Sequence, residues 1–148
     1  RSFRPDLIVS QHGCDPHIWD PLAELHLSTG AFLRSAVFTR QLADELCDGR
    51  WVATGGGGYQ PYRVIPRAWS MVWCTVSGRE VPDRVDPEWI SAWQDRDPLP
   101  LPSEFLDQLT PDPRWDRMEQ VNRNMLQQLR EKLPWVQDWG TTDGCSII

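Results

Sequence analysis

Thr54-Gly55-Gly56-Gly57-Gly58-Tyr59 is the stretch whose reading decides the fold. Four consecutive glycines cannot pack a core, and they cost backbone entropy on folding. A chain keeps them where its backbone must approach another group closely or turn to positive φ. Here they follow a short apolar run, Trp51-Val52-Ala53, and end in a tyrosine. The pattern predicts a strand that delivers a bare-backbone loop and one phenolic hydroxyl to a site. A second strand-to-loop passage lies upstream, where Leu7-Ile8-Val9 runs into Ser10-Gln11-His12-Gly13-Cys14-Asp15-Pro16-His17 and then Trp19-Asp20-Pro21-Leu22.

Between the two passages Leu33, Val37, Leu42 and Leu46 recur at roughly helical spacing. Ser28 or Thr29 can cap that helix and Gly49 can end it. The prediction is a strand at 7–10, a helix over 32–46 and a strand at 51–54. Such a βαβ unit demands adjacent parallel strands and a right-handed crossover. Both loops then leave the carboxyl ends of their strands, the edge at which open parallel sheets bind ligands. Topology alone brings Asp20 and Tyr59 to one rim.

Further along, 67–76 reads as a helix carrying Trp69, Met71, Val72 and Trp73. Pro82, Pro87, Pro98, Pro100 and Pro102 interrupt regular structure. They predict an ordered, tryptophan-pinned excursion with at most a short helix near 88–93. Ser103-Glu104-Phe105-Leu106 predicts the start of another short helix. Asp112-Pro113 opens the longest helix, through Met118, Val121, Met125, Leu129 and Leu133, with Pro134 ending it and 141–148 a loose end. The domain division drawn from this reading is 1–80, an α/β part, and 81–148, a Pro/Trp-rich helical extension.

The 148 residues amount to one ordinary domain. A net charge of −6 with no basic run argues against a nucleic-acid surface. No apolar stretch approaches the ~20 residues that span a bilayer. Four cysteines (Cys14, Cys47, Cys74, Cys145) without a C-x-x-C pair point to free thiols in a reducing, cytoplasmic compartment.

Taken together, Ser10-Gln11-His12-Gly13-Cys14-Asp15, Asp20-Pro21-Leu22, Gly55-Gly56-Gly57-Gly58-Tyr59 and Pro66-Arg67-Ala68-Trp69 resemble the C-terminal part of the histone deacetylase superfamily. The branch they resemble is that of the bacterial acetoin-utilisation-type deacetylases, over roughly 5–73. The resemblance implies an α/β fold, the C-terminal part of an arginase/deacetylase-like parallel sheet flanked by helices. It also implies a Zn²⁺ cofactor, with Asp20 as a metal ligand and Tyr59 as a catalytic donor to the substrate oxyanion. Gly56, Gly57 and Gly58 would wall a narrow acyl-lysine tunnel with Leu27 at its mouth.

Each of these residues has a plainer reading. Asp20 before proline is a common turn pair. An isolated Gly-Tyr is a packed loop, and Leu27 is an ordinary core leucine. The rival phosphate loop fails, because Tyr59-Gln60 follows the glycines where Gly-Lys-Ser/Thr is needed. The dinucleotide fingerprint fails because position 60 is Gln. Asp15-Pro16-His17 resembles the family's other ligand pair, but that pair lies upstream after a different strand. A local site of Asp15, His17 and Asp20 is the minor reading. His12 and His26 read as loop and surface residues, and Cys14 as a small buried one.

The resembled enzymes also use an Asp-x-His zinc pair and a His-His acid–base pair from earlier in the chain, and neither is present. The expectation is therefore a C-terminal portion of a zinc deacetylase, inactive alone. Its substrate would be an acetylated lysine protein or small acetylated amine, and the N-terminal portion a possible partner chain. The alternative is a stand-alone, non-catalytic binding or scaffold module. Neither nucleic acid nor membrane is expected as a partner.

Overall fold

The computed structural model describes residues 3–23, 25–108 and 113–133. They divide into two compact units, Arg1–Gln108 and Leu109–Ile148.

The first unit is built on the βαβ element. Strand β1 (Ile8–Gln11) and strand β2 (Trp51–Thr54) are adjacent and parallel, in the register Ile8↔Trp51 to Gln11↔Thr54. Helix α1 (Thr29–Cys47) makes the crossover. It ends where Asp48 and then Gly49 turn to positive φ, 53° and 74°. The side chains α1 buries are small, Thr29, Ala36, Ala43 and Cys47, while Val37 is exposed. Small residues let α1 lie close against helix α2 (Ile65–Ser77), its main packing partner. Pro66 sits in the first turn of α2, where its missing N–H costs nothing. Val64, Ala68 and Cys14 form a buried cluster joined by Phe32 and Ile65. The loop carrying Cys14 is thereby packed against α2.

The predicted excursion is ordered. Helix α3 (Pro87–Trp93) is capped by Asp86, whose side chain accepts from the Glu88 N–H. A single 3₁₀ turn (Gln94–Arg96) follows it. Trp93 stacks on Tyr62 at 5.8 Å. Buried Asp97 accepts from Gln60 Nε2 at 3.0 Å. The expected helix from Ser103 is absent. Val85 N–H donates to Ser103 O and Phe105 N–H to Asp83 O, so this segment pairs as an antiparallel bridge, Arg84↔Glu104. The Trp93–Tyr62 stack and the Gln60–Asp97 bond tie 81–108 to the first unit, which runs to Gln108, beyond the division at residue 80 drawn from sequence.

In the second unit, helix α4 (Trp115–Lys132) buries none of its residues. At 18 residues it is one shorter than α1, so it is not the longest helix. The expectations for Asp112, Pro134 and 141–148 lie outside the described residues. No described helix is long and apolar enough to cross a membrane.

Candidate functional site

The two glycine-bearing loops are zipped together beyond the ends of the strands. His12 N–H donates to Thr54 O at 2.9 Å, and Cys14 N–H to Gly57 O at 2.6 Å. The approach is so close that a Cβ on Gly56 would meet Gln11 Nε2 at 2.1 Å, and one on Gly57 would meet Asp15 Oδ1 at 2.6 Å. A Cβ on Gly56 would also meet the backbone N of Gly13 at 2.9 Å, so loop-against-loop packing requires glycine there. Trp69 closes the far side. Its ring lies 3.4 Å from where a Gly55 Cβ would stand, and its indole N–H donates to His12 O at 2.9 Å.

This zipper fixes the rim. Asp20 is buried at 6 % exposure. Its Oδ2 accepts from the Tyr59 N–H at 2.7 Å and its Oδ1 from the Leu22 N–H at 3.1 Å. Each carboxylate oxygen retains a lone pair for a further partner. Tyr59 is half exposed. Leu27 is 40 % exposed, which removes the core-leucine reading, and its backbone pairs with Pro16 and Ile18. Asp20, Tyr59 and Leu27 thus share one stretch of interlocked loops.

Behind the rim lies a buried polar network. His17 is fully buried. Its Nδ1 accepts from the Trp19 N–H at 3.0 Å, which puts the ring proton on Nε2, and Nε2–H donates to Asp107 Oδ2 at 2.8 Å. The same carboxylate takes the Thr29 N–H at 2.7 Å, the Thr29 hydroxyl at 3.0 Å and the Arg67 guanidinium at 2.8 Å. Ser28, at the N-cap of α1, makes no capping bond. Asp107 supplies that acceptor from 78 residues away, an anion at the positive end of the helix. Burial pushes the Asp107 pKa up. The bonds from His17 and Thr29 and the Arg67 charge outweigh it and hold the carboxyl well below the usual carboxylate range.

Both ring nitrogens of His17 are committed in this way, so Asp15, His17 and Asp20 do not converge as a local metal site. His12 Nε2 bonds Ser10 Oγ, which also accepts the Trp51 indole N–H, and His26 is exposed on its loop. Burial, then the Asp20 and Asp15 carboxylates, push the Cys14 thiol up to about 11. A thiol with that pKa is no nucleophile at neutral pH. Sequence reasoning does not single out Asp107 or the role of Arg67, and it reads Thr29 only as a candidate helix cap. Asp107 sits in a segment read as helix, and nothing local marks a carboxylate whose partners lie 40 to 90 residues away.

Residues 1–76 match the histone deacetylase domain. The chain belongs to the histone deacetylase family, and within it to the acetoin-utilisation type. It is 41% identical over 105 residues to the acetoin utilization protein AcuC of Bacillus subtilis (strain 168), covering 71% of this chain and 27% of that protein. To the AcuC protein of Staphylococcus xylosus it is 33% identical over 135 residues, covering 90% and 35%. Among solved structures, a histone deacetylase homolog from Aquifex aeolicus superposes with a TM-score of 0.58 at 28% identity, over 80% of this chain and 33% of that one. A homolog complexed with SAHA superposes with a TM-score of 0.60 at 28% identity, over 81% and 33%. The α/β deacetylase fold implied by the motifs is the fold observed. The chain spans roughly a third or less of the length of these relatives.

A catalytic zinc takes about three protein ligands and a water. Asp20 fits one ligand position: it is a buried carboxylate, oriented by two backbone donors, with lone pairs to spare. No three His, Cys, Asp or Glu side chains converge among the described residues. By themselves these residues do not fit a complete zinc centre.

Proposed function

We propose that this chain forms one side of the catalytic rim of a zinc-dependent acyl-lysine deacetylase, which hydrolyses an amide and releases acetate. The observation that carries this reading is the Tyr59 N–H bond to Asp20, which ties the one candidate ligand to the one candidate oxyanion donor. Zinc, when bound with Asp20 as one of its ligands, would polarise the substrate carbonyl and acidify a water. The Tyr59 hydroxyl donates to the substrate oxygen as negative charge develops there. Gly56, Gly57 and Gly58 present bare backbone beside it, and Leu27 offers an apolar mouth that suits an acyl-lysine stem better than a cationic polyamine. The general base and the remaining ligands come from outside these residues, so the 148-residue chain is inactive alone. Substrates are acetylated lysine proteins or small acetylated amines. Three buried free thiols, Cys14, Cys47 and Cys74, suit a reducing cytoplasm.

The test uses the native protein purified from its source with everything joined to it, assayed on an acetyl-lysine peptide. Tyr59→Phe should lower turnover by ~10²–10³ with metal content unchanged. Asp20→Asn should lose both metal and rate. Full turnover in both variants would refute the assignment.

A further inference from the structure

We propose that Asp107 is a positioning residue for the Asp20–Tyr59 rim and acts through the buried imidazole of His17. The proposal rests on the deacetylase reading above and extends the site beyond residues 1–76, the part that matches the family domain. Asp107 is joined to the rim by a short path of bonds. Its carboxylate accepts from His17 Nε2 at 2.8 Å. The His17 carbonyl accepts the Asp20 N–H at 2.9 Å, and the His17 Nδ1 accepts the Trp19 N–H at 3.0 Å. Asp20 then takes the Tyr59 N–H. His17 is held on its faces as well, stacked on Phe32 at 6.0 Å and tilted against Trp19 at 5.1 Å. Arg63 covers the Trp19 ring at 4.1 Å.

The other end of the path is equally fixed. Thr29 donates its backbone N–H and hydroxyl to Asp107 and accepts the Asp107 N–H at 2.8 Å. Arg67 pairs with the second carboxylate oxygen and also donates to Glu104 O and Phe105 O. Asp107 therefore pins three elements together: the start of α1, the first turn of α2 and the loop that carries Asp20. Among the described residues of the Asp20 loop, His17 is the one whose side chain bonds this carboxylate, which makes its ring orientation the link from anchor to rim. A neutral acceptor at 107 would not hold the ring proton on Nε2 as firmly, because charge-assisted bonds are about twice as strong as neutral ones.

The experiment is Asp107→Asn in the native protein, read three ways. Nitrogen-15 NMR of the imidazole should show His17 losing its single Nε2–H tautomer. The Tyr59 amide should exchange with solvent at least ~10-fold faster, while Ala43 and Met71 in the helices keep their protection. On an acetyl-lysine peptide, kcat should fall about tenfold with KM within twofold, the low end of what outer partners of catalytic ligands cost. Asp107→Glu should restore part of each. If Asp107→Asn does not fold, Thr29→Val removes one bond to the same carboxylate and should give smaller changes in the same direction. An unchanged tautomer and Tyr59 amide, or equal loss of protection at Tyr59, Ala43 and Met71, would overturn the proposal. Full activity in both Tyr59→Phe and Asp20→Asn would sink the deacetylase reading instead, and the imidazole and amide readouts would still judge the positioning role.

Discussion

Tyr59 and Asp20 are 39 residues apart in sequence and joined at 2.7 Å, backbone N–H to carboxylate. The bond makes the β2 loop dependent on a side chain of the β1 loop. Asp20 accepts a second N–H, from Leu22, on its other oxygen. Asparagine can satisfy only one of the two donors, because its amide nitrogen must face the other. Asp20→Asn should therefore destabilise the first unit by about 1–3 kcal/mol, the cost of a buried donor left unpaired. Chemical denaturation measures this, and an unchanged midpoint would mean that the loops do not lean on this carboxylate.

Two glycine substitutions should have opposite signs. A Cβ on Gly57 would press on Asp15 Oδ1 at 2.6 Å, inside the zipped loops. Gly57→Ala should cost about 1–3 kcal/mol through overpacking. Gly30 lies in the first turn of α1, and its nearest contact for a Cβ is Ser28 Oγ at an ordinary 3.6 Å. Gly30→Ala should stabilise by up to ~1 kcal/mol through helix propensity. Thermal unfolding of the two variants beside the parent distinguishes a steric role for the glycine run from a dispensable one.

The contrast between these glycines shows what was legible in the sequence. The run 55–58 announces a close backbone approach, and the apolar triplets on either side of α1 announce parallel strands, because both are local patterns. What the glycines approach was not local: Gly56 and Gly57 meet Gln11 and Asp15 of the other loop. In the same way Pro66-Arg67-Ala68-Trp69 was visible as a motif, while its meaning lies in distant partners, Asp107 for Arg67 and His12 for Trp69. The segment at 103–106 was misread as helix because its composition suits a helix start. Its backbone is taken instead by Asp83 and Val85, whose pairing no local pattern encodes.

Acid should weaken the Asp107 network. Burial raises the pKa of this carboxyl, but the donors from His17, Thr29 and Arg67 leave it well below the ordinary value. A group depressed in the folded state contributes stability above its unfolded pKa, ~3.9 for Asp, and loses it as pH falls through that value toward the folded one. The parent protein should lose stability between about pH 5 and pH 2 more steeply than Asp107→Asn, which has no such proton to take up. Urea midpoints across that range give the comparison. Parallel slopes would show that Asp107 is not protonated on unfolding.

Arg67 offers the sharpest test of how the first unit is closed. It is 2 % exposed, and one guanidinium reaches four acceptors: Arg63 O through Nε at 2.7 Å, then Glu104 O, Phe105 O and Asp107 Oδ1 through Nη1. Lysine keeps the charge and the length but brings its donors to a single point, so it cannot serve Arg63 O and Asp107 together. Arg67→Lys should therefore cost about 1–3 kcal/mol from the buried acceptors it leaves unpaired. Arg67→Met should cost more, about 3–5 kcal/mol, because it strands the Asp107 charge in the interior. The double variant Arg67→Met with Asp107→Leu should recover part of that loss, since an apolar pair leaves no buried charge behind. If the two single losses simply added in the double variant, Arg67 and Asp107 would be packing independently, and the ion pair would not be what fastens 103–108 to α2.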